Sequence, residues 1–249
     1  MSARGLRALA VPGSLTVVGL AILIGLGVWQ LDRKAWKEGL IDSLRQRLSA
    51  PAVAFPAPDR WNRLTQAADE FRRVRFRAGF LHAQEALVYT VGSALRPDVS
   101  GPGYWVFTPA KLADGAIVVV DRGFVPEGRR DPKARAAGQV EGTVEIVGAL
   151  RWPEEGGWFA PEPDRARRQW FVRDHVSMAQ ALGWGRVAPF HVAQEAPVPP
   201  GGLPKPGRLT ADLRNQHLQY ALTWFGLAIV LASVFVFWVR ARRCQPDTQ

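Results

Sequence analysis

The chain has 249 residues and is 47% hydrophobic, with 32 Lys+Arg against 22 Asp+Glu for a formal net charge of +10. That is ample apolar surface for one or two folded domains and excludes a disordered chain. A single Cys (Cys244) and two Met exclude a disulfide framework, a Cys-rich zinc site, an iron–sulfur cluster and thiolate copper carriage.

Residues 1–14 form a short tail carrying Arg4 and Arg7, followed by an uncharged run from Leu15 to Leu31. About 20 helical residues cover roughly 30 Å, the hydrocarbon thickness of a bilayer, and this run has no polar face for water. It predicts a first membrane-spanning helix over 15–31. The residues after it, Trp29-Gln30-Leu31-Asp32-Arg33-Lys34, offer no small-x-small cleavage site, so it reads as an uncleaved anchor. The tail is too short for a long transit peptide, which favours a bacterial chain or a mature form.

A juxtamembrane segment and a Pro-rich stretch (Ala50 to Pro58) fill residues 32–60. Proline removes backbone donors and favours extended chain, so the stretch reads as a tether. The folded unit is then 61–195. Its period is mostly two: Val74, Phe76, Ala78 and Phe80 alternate with Arg73, Arg75, Arg77 and Gly79, a strand with one apolar and one cationic face. Further strands are expected at Ala86–Val91, Tyr104–Pro109, Ile117–Asp121, Thr143–Ala149, Trp170–Arg173 and Pro189–Val192, with Asp114-Gly115 as a hairpin signal and one helix over His175–Leu182. Short strands punctuated by Gly and Pro predict an antiparallel barrel or sandwich.

A second Pro/Gly-rich tether and helix entry occupy 196–219. The uncharged run Tyr220 to Val239 predicts the second spanning helix over 220–239, before a C-terminal tail, 240–249, that begins with Arg240, Arg242 and Arg243. Trp29, Trp36, Tyr220 and Trp224 suit an aromatic belt at one interface and Trp238 at the other. Two spans place both termini on one side. Positive charges near the spans do not decide which: five lie on the terminal side (Arg4, Arg7, Arg240, Arg242, Arg243) and seven on the loop side (Arg33, Lys34, Lys37, Arg45, Arg47, Arg208, Arg214).

Phosphate-loop, dinucleotide-fold, zinc-protease, CxxC and nucleophile-elbow motifs are all missing. The arginines of the central region are scattered over many strands, which suits acidic headgroups or an acidic partner better than nucleic acid. Asp174-His175 could suggest a hydrolase, but Asp174 stands where a helix N-cap belongs. His82, at a strand end, and His191, within a strand, read as structural. His217 stands one turn before the second uncharged run. At helical spacing it shares a face with Tyr220, Ala221, Trp224 and Ala228, with Arg214 one turn earlier. Two readings stand: an interfacial histidine bonded to Gln30 or a headgroup, or an axial haem ligand with Arg33, Lys34 or Arg214 near the propionates.

Four segments resemble the Surfeit locus one family, assembly factors of cytochrome oxidase. They are Gly27-Val28-Trp29-Gln30-Leu31-Asp32-Arg33-Lys34, Asp121-Arg122-Gly123-Phe124-Val125-Pro126, Gly148-Ala149-Leu150-Arg151-Trp152-Pro153-Glu154 with Phe159-Ala160-Pro161, and Arg214-Asn215-Gln216-His217-Leu218-Gln219-Tyr220. Departures are Asp121 for an expected Asn, Phe124 for Trp and Gln216 for Asn. The resemblance implies a two-pass protein of a bacterial inner membrane, with both termini cytoplasmic and the β domain periplasmic. It also implies a non-enzymatic role in placing haem a into the catalytic subunit of a haem–copper oxidase, with haem a synthase as a further expected partner. Haem a binding through a histidine in bacterial members carries over to His217; scaffolding without haem is the alternative for eukaryotic relatives. The candidate cofactor-binding set is therefore His217, Trp224, Tyr220, Arg214, Arg33, Trp29 and Gln30, with His217 on the haem iron and membrane lipid around it.

Overall fold

The computed structural model describes residues 3–211 and 215–243. Its elements are α1 (Ala3–Ser49), β1 (Val53–Ala54), α2 (Gln66–Asp69), β2 (Arg73–Phe80), β3 (Ala86–Gly92), β4 (Ser100–Lys111), β5 (Ile117–Pro126), β6 (Thr143–Arg151), β7 (Gln169–Trp170), α3 (His175–Leu182), β8 (Val187–Ala196) and α4 (His217–Arg243). They divide into a helical unit, built from α1 up to Asp42 and from α4, and a β unit that begins at Ser43.

In the helical unit, Ala10–Ser49 and His217–Arg242 are each long and apolar enough to cross a membrane. Their apolar side chains point outward: Val17 is 66% exposed and Phe237 76%. A core helix would bury such residues, so this surface belongs in lipid. The two helices meet along small residues. A Cβ added at Gly27 would lie 2.5 Å from the Phe225 ring, and one at Gly19 would lie 3.0 Å from Leu231. Ala221 and Ala228 are buried on the facing side, whereas Ala21 and Gly25 are exposed.

In the β unit, strands β2, β6, β8, β5 and β4 form a ring, which β4 closes onto β2 through the pairs Gly79–Lys111 and Phe80–Ala110. Strands β3 and β7 extend it beside β4, and β1 extends it beside β2. The pairing is antiparallel except at β1–β2, β3–β7 and β5–β8. The barrel expected from the sequence is present, and its one parallel pair, β5–β8, has a topological reason: five strands in a closed ring cannot alternate direction all the way round. The alternation read in β2 holds, with Val74, Phe76 and Ala78 buried in the core. Phe190 sits at the centre of that core, edge-on to Trp61 at 5.8 Å and to Phe55 at 5.9 Å.

Helix α3 starts and stops as its sequence requires. Asp174 accepts hydrogen bonds from the Val176 and Ser177 amides, 3.1 Å each. Gly183, at φ +67°, ends the helix in the left-handed region. This geometry makes Asp174 a cap and leaves a hydrolytic role without support. Replacing Asp174 with Ala is expected to destabilise the β unit by about 1 kcal/mol. Thermal unfolding of the detergent-solubilised full chain measures it, and an unchanged Tm would contradict the capping role.

The Pro-rich stretches are packed onto the barrel, which corrects their reading as tethers. Val53 and Ala54 pair with β2, and Phe55 packs into the core at 4.4 Å from Phe76. On the other side Lys205 bridges Phe124. Proline lacks a donor but keeps its carbonyl, so donors on the barrel can hold these segments. Arg96 donates to Pro206 O and Gly207 O, 3.3 Å each, and Gln194 Nε2 donates to Pro197 O at 2.8 Å. Only glycine fits at position 123: its φ is +110°, and a Cβ there would collide with the Lys205 carbonyl.

Candidate functional site

His217 is the first residue of α4, and its amide donates to Asn215 Oδ1 at 3.3 Å. Its ring reaches across to α1, where His217 Nδ1 lies 2.7 Å from Gln30 Oε1. A carboxamide can meet Nδ1 either way, accepting from Nδ1–H through its oxygen or donating to an Nδ1 lone pair through its amide nitrogen. Trp224 lies seven residues further on, close to two helical turns, and is therefore on the same side of α4. It is half-buried, and its Nε1–H, although shielded from solvent, finds no hydrogen-bond partner among the described residues.

The structure thus brings Gln30 and His217 together and keeps Trp224 on their face. It separates other members of the expected set. Tyr220 is 54% exposed and Trp29 52%, both facing outward with Trp36, as residues at a headgroup level do. Arg33 is exposed and stacks on Trp36, 4.7 Å from the ring centroid. Arg214 lies outside the described residues. Among the described residues no group of three or more His, Cys, Asp or Glu could hold a metal ion.

The β unit carries two buried polar clusters. In one, Arg122 donates to His82 Nδ1 at 3.2 Å, which leaves His82 Nε2–H to donate to Val140 O at 2.8 Å. Burial, aided by Arg122, pushes the His82 pKa below its ordinary value, and burial also pushes Arg122 down to about 10. Beside them Arg135 and Glu85 form a buried ion pair. These groups back a cleft of about 730 Å³ lined by His82, Glu85, Leu87, Arg130, Gln139 and Arg168.

The second cluster surrounds Asp121. Its carboxylate accepts from the Gly123 amide at 3.0 Å, and burial pushes its pKa up against the opposing pull of Arg173. His191, Trp105 and Gln194 line the same small chamber, each with a buried polar atom unpartnered among the described residues. His175 packs edge-on to His191 at 5.1 Å and bonds Ala188 O at 3.0 Å. Burial pushes His175 down to about 4 and His191 well below the usual imidazole range.

Two of these residues, Asp121 and Arg122, lie in a segment whose resemblance to a family motif was visible from the sequence. Glu85, Arg135 and Gln139 carried no such signal, because the barrel joins them across long stretches of chain.

The match to known proteins covers both units. A family model described as SURF1 family matches residues 17–229. A SURF1-like protein of Monosiga brevicollis is 37% identical over 87% of this chain and 83% of its own length. Surfeit locus protein 1 of Rattus norvegicus is 35% identical over 88% and 72%, and that of Homo sapiens 36% over 82% and 69%. The chain belongs to the SURF1 family. Within this SURF1 chain the match runs from the first apolar helix through the barrel into α4, so it includes both Gln30 and His217.

Proposed function

We propose that this chain is a non-enzymatic assembly factor of a haem–copper terminal oxidase, which binds haem a at His217 and hands it to the catalytic subunit. The observation that carries the reading is the imidazole at the start of α4, tied through Nδ1 to Gln30 on α1. A neutral imidazole whose second nitrogen is tied to a neighbouring group is how proteins commonly prepare a histidine for iron. The unpartnered Trp224 Nε1–H on the same face is a donor awaiting an acceptor, which suits a polar edge of a haem.

Haem a supplies the iron and a long apolar tail, and the chain supplies the rest. Outward-facing apolar helices keep the site beside lipid, where such a tail is soluble. A single protein ligand favours release as well as capture, as a carrier requires. Arg214, three residues before His217 in sequence, is the cation for a propionate. We place the chain in a bacterial inner membrane, termini cytoplasmic and β unit periplasmic, with the catalytic subunit, haem a synthase and lipid as partners.

The test is co-expression of the full chain with haem a synthesis. Wild type is expected to purify with haem a and His217→Ala with less than about a tenth as much, as expected for loss of a ligand. Equal haem in both would refute the ligand assignment. No haem in either, with the oxidase subunit still co-purifying, would replace this reading by a scaffold that binds no cofactor.

A further inference from the structure

The loop between β6 and β7 carries two adjacent aromatic side chains that the fold leaves uncovered. Trp158 is 95% exposed and Phe159 92%. In the same unit Trp61, Trp105, Trp170 and Trp184 are buried, and Trp152 packs against the core. Single apolar residues are ordinary on a surface. Two neighbouring rings of about 200 Å² each make a contiguous apolar patch, which marks a contact.

The loop holds this pair on a defined frame. Its first leg is tied by the Glu154 amide, which donates to Arg173 O at 3.2 Å. The Glu154 carboxylate adds bonds from Arg151 and Arg173 at 3.3 and 3.4 Å. Its second leg is tied where Asp164 and Gln169 exchange backbone bonds of 2.8 and 2.9 Å. Between the legs the Ala160 amide donates to Gly157 O at 2.9 Å, closing a tight turn with Trp158 and Phe159 at its two corners. Such corners suit small polar residues. The turn does not require two rings there, so their use lies outside the fold.

A convex apolar tip needs either a soft apolar medium or a matching cavity in a partner. The chain supplies the medium. The β unit is joined to α1 and α4, whose outward apolar side chains belong in lipid, so a bilayer surface is always within tethered reach. Trp beside an apolar ring also suits the headgroup level, where the indole N–H meets water and the rings meet acyl chains. Charge does not drive this contact, because Glu155 and Glu162 stand exposed on either side of the turn.

We infer that Trp158 and Phe159 form a lipid-dipping tip by which the β unit contacts the membrane interface, in addition to the two helices. This goes beyond the haem reading and does not depend on it. Gly157 offers a reporter position beside the rings, since a Cβ there meets nothing within 4 Å. In the full chain, Cys244→Ser removes the single cysteine, and Gly157→Cys then carries a nitroxide. In phosphatidylcholine vesicles, oxygen is expected to relax this nitroxide while a water-soluble nickel chelate loses most of its effect. High salt should leave that result unchanged. Adding Trp158→Ser and Phe159→Ser should restore the chelate's access without moving Tm, because neither ring packs in the core.

Equal chelate access with and without the rings would overturn the lipid contact. Shielding that arises only when the oxidase catalytic subunit is co-reconstituted would overturn it in favour of a protein cavity. Shielding that disappears when each vesicle holds a single copy would overturn it in favour of self-association.

Discussion

Glu85→Ala is expected to destabilise the β unit by about 3–5 kcal/mol, a large share of the stability of any single domain. The carboxylate lies against Arg135, with only 8% and 1% of the respective side chains exposed. Removing it leaves a guanidinium that is out of water and still charged. Arg135 also donates to the Arg129 and Arg130 carbonyls, so it cannot swing out without opening the loop that carries them. At about 2–4 °C per kcal/mol for a unit of this size, Tm should fall by roughly 10 °C. The double variant Glu85→Met, Arg135→Met should recover most of that loss, since an apolar pair needs no compensation. A single variant within 1 kcal/mol of wild type would show that solvent reaches Arg135.

Acid should weaken the same unit through its buried histidines. Burial lowers the His175 pKa to about 4 from an ordinary 6.5, against the opposing pull of the Ala188 carbonyl and Asp174. Between those values the unfolded chain takes up the proton and the folded chain does not. Stability is therefore fully present above pH 6.5 and is lost as pH falls toward 4, by about 3 kcal/mol for this one group. His191, lowered by burial and by His175, Arg151 and Arg173, acts in the same direction. Thermal unfolding from pH 7 to 4.5 measures the slope. His175→Gln, which can keep a donor toward Ala188, should flatten it; identical slopes would show that His175 is not the group responsible.

Much of the β unit was legible because its signals are local. Alternation at 73–80, the cap at Asp174 and Gly183 after the helix each depend on a few adjacent residues, and the helix over His175–Leu182 has those bounds in the structure. Strand lengths were less legible. β4 begins at Ser100, so Gly101, Pro102 and Gly103, ahead of the expected Tyr104–Pro109, lie in the strand, whereas β7 is Gln169–Trp170 and shares only Trp170 with the expected Trp170–Arg173. The Pro-rich segments were misread because proline's missing donor is visible in sequence while the barrel donors that find its carbonyls are not. The proximity of Gln30 to His217 was one of two sequence readings, and the other, an iron ligand, is chemically compatible with it. The outward turn of Tyr220 and Trp29 agrees with the aromatic-belt reading and not with their place in the cofactor set, since a helical face fixes neighbours on one helix but not the angle at which the next helix packs.

Arg96 has a mechanical consequence. Asp98 grips it in two places, at 2.7 and 2.9 Å, and its guanidinium in turn collects the carbonyls of Pro206 and Gly207. A tug on the segment after β8 therefore loads this clasp, itself buttoned to a neighbouring acid, together with the Lys205–Phe124 bridge. Loosening that clasp would slacken residues 205–207 without unravelling a strand, so give in this segment need not disturb the barrel's ladder.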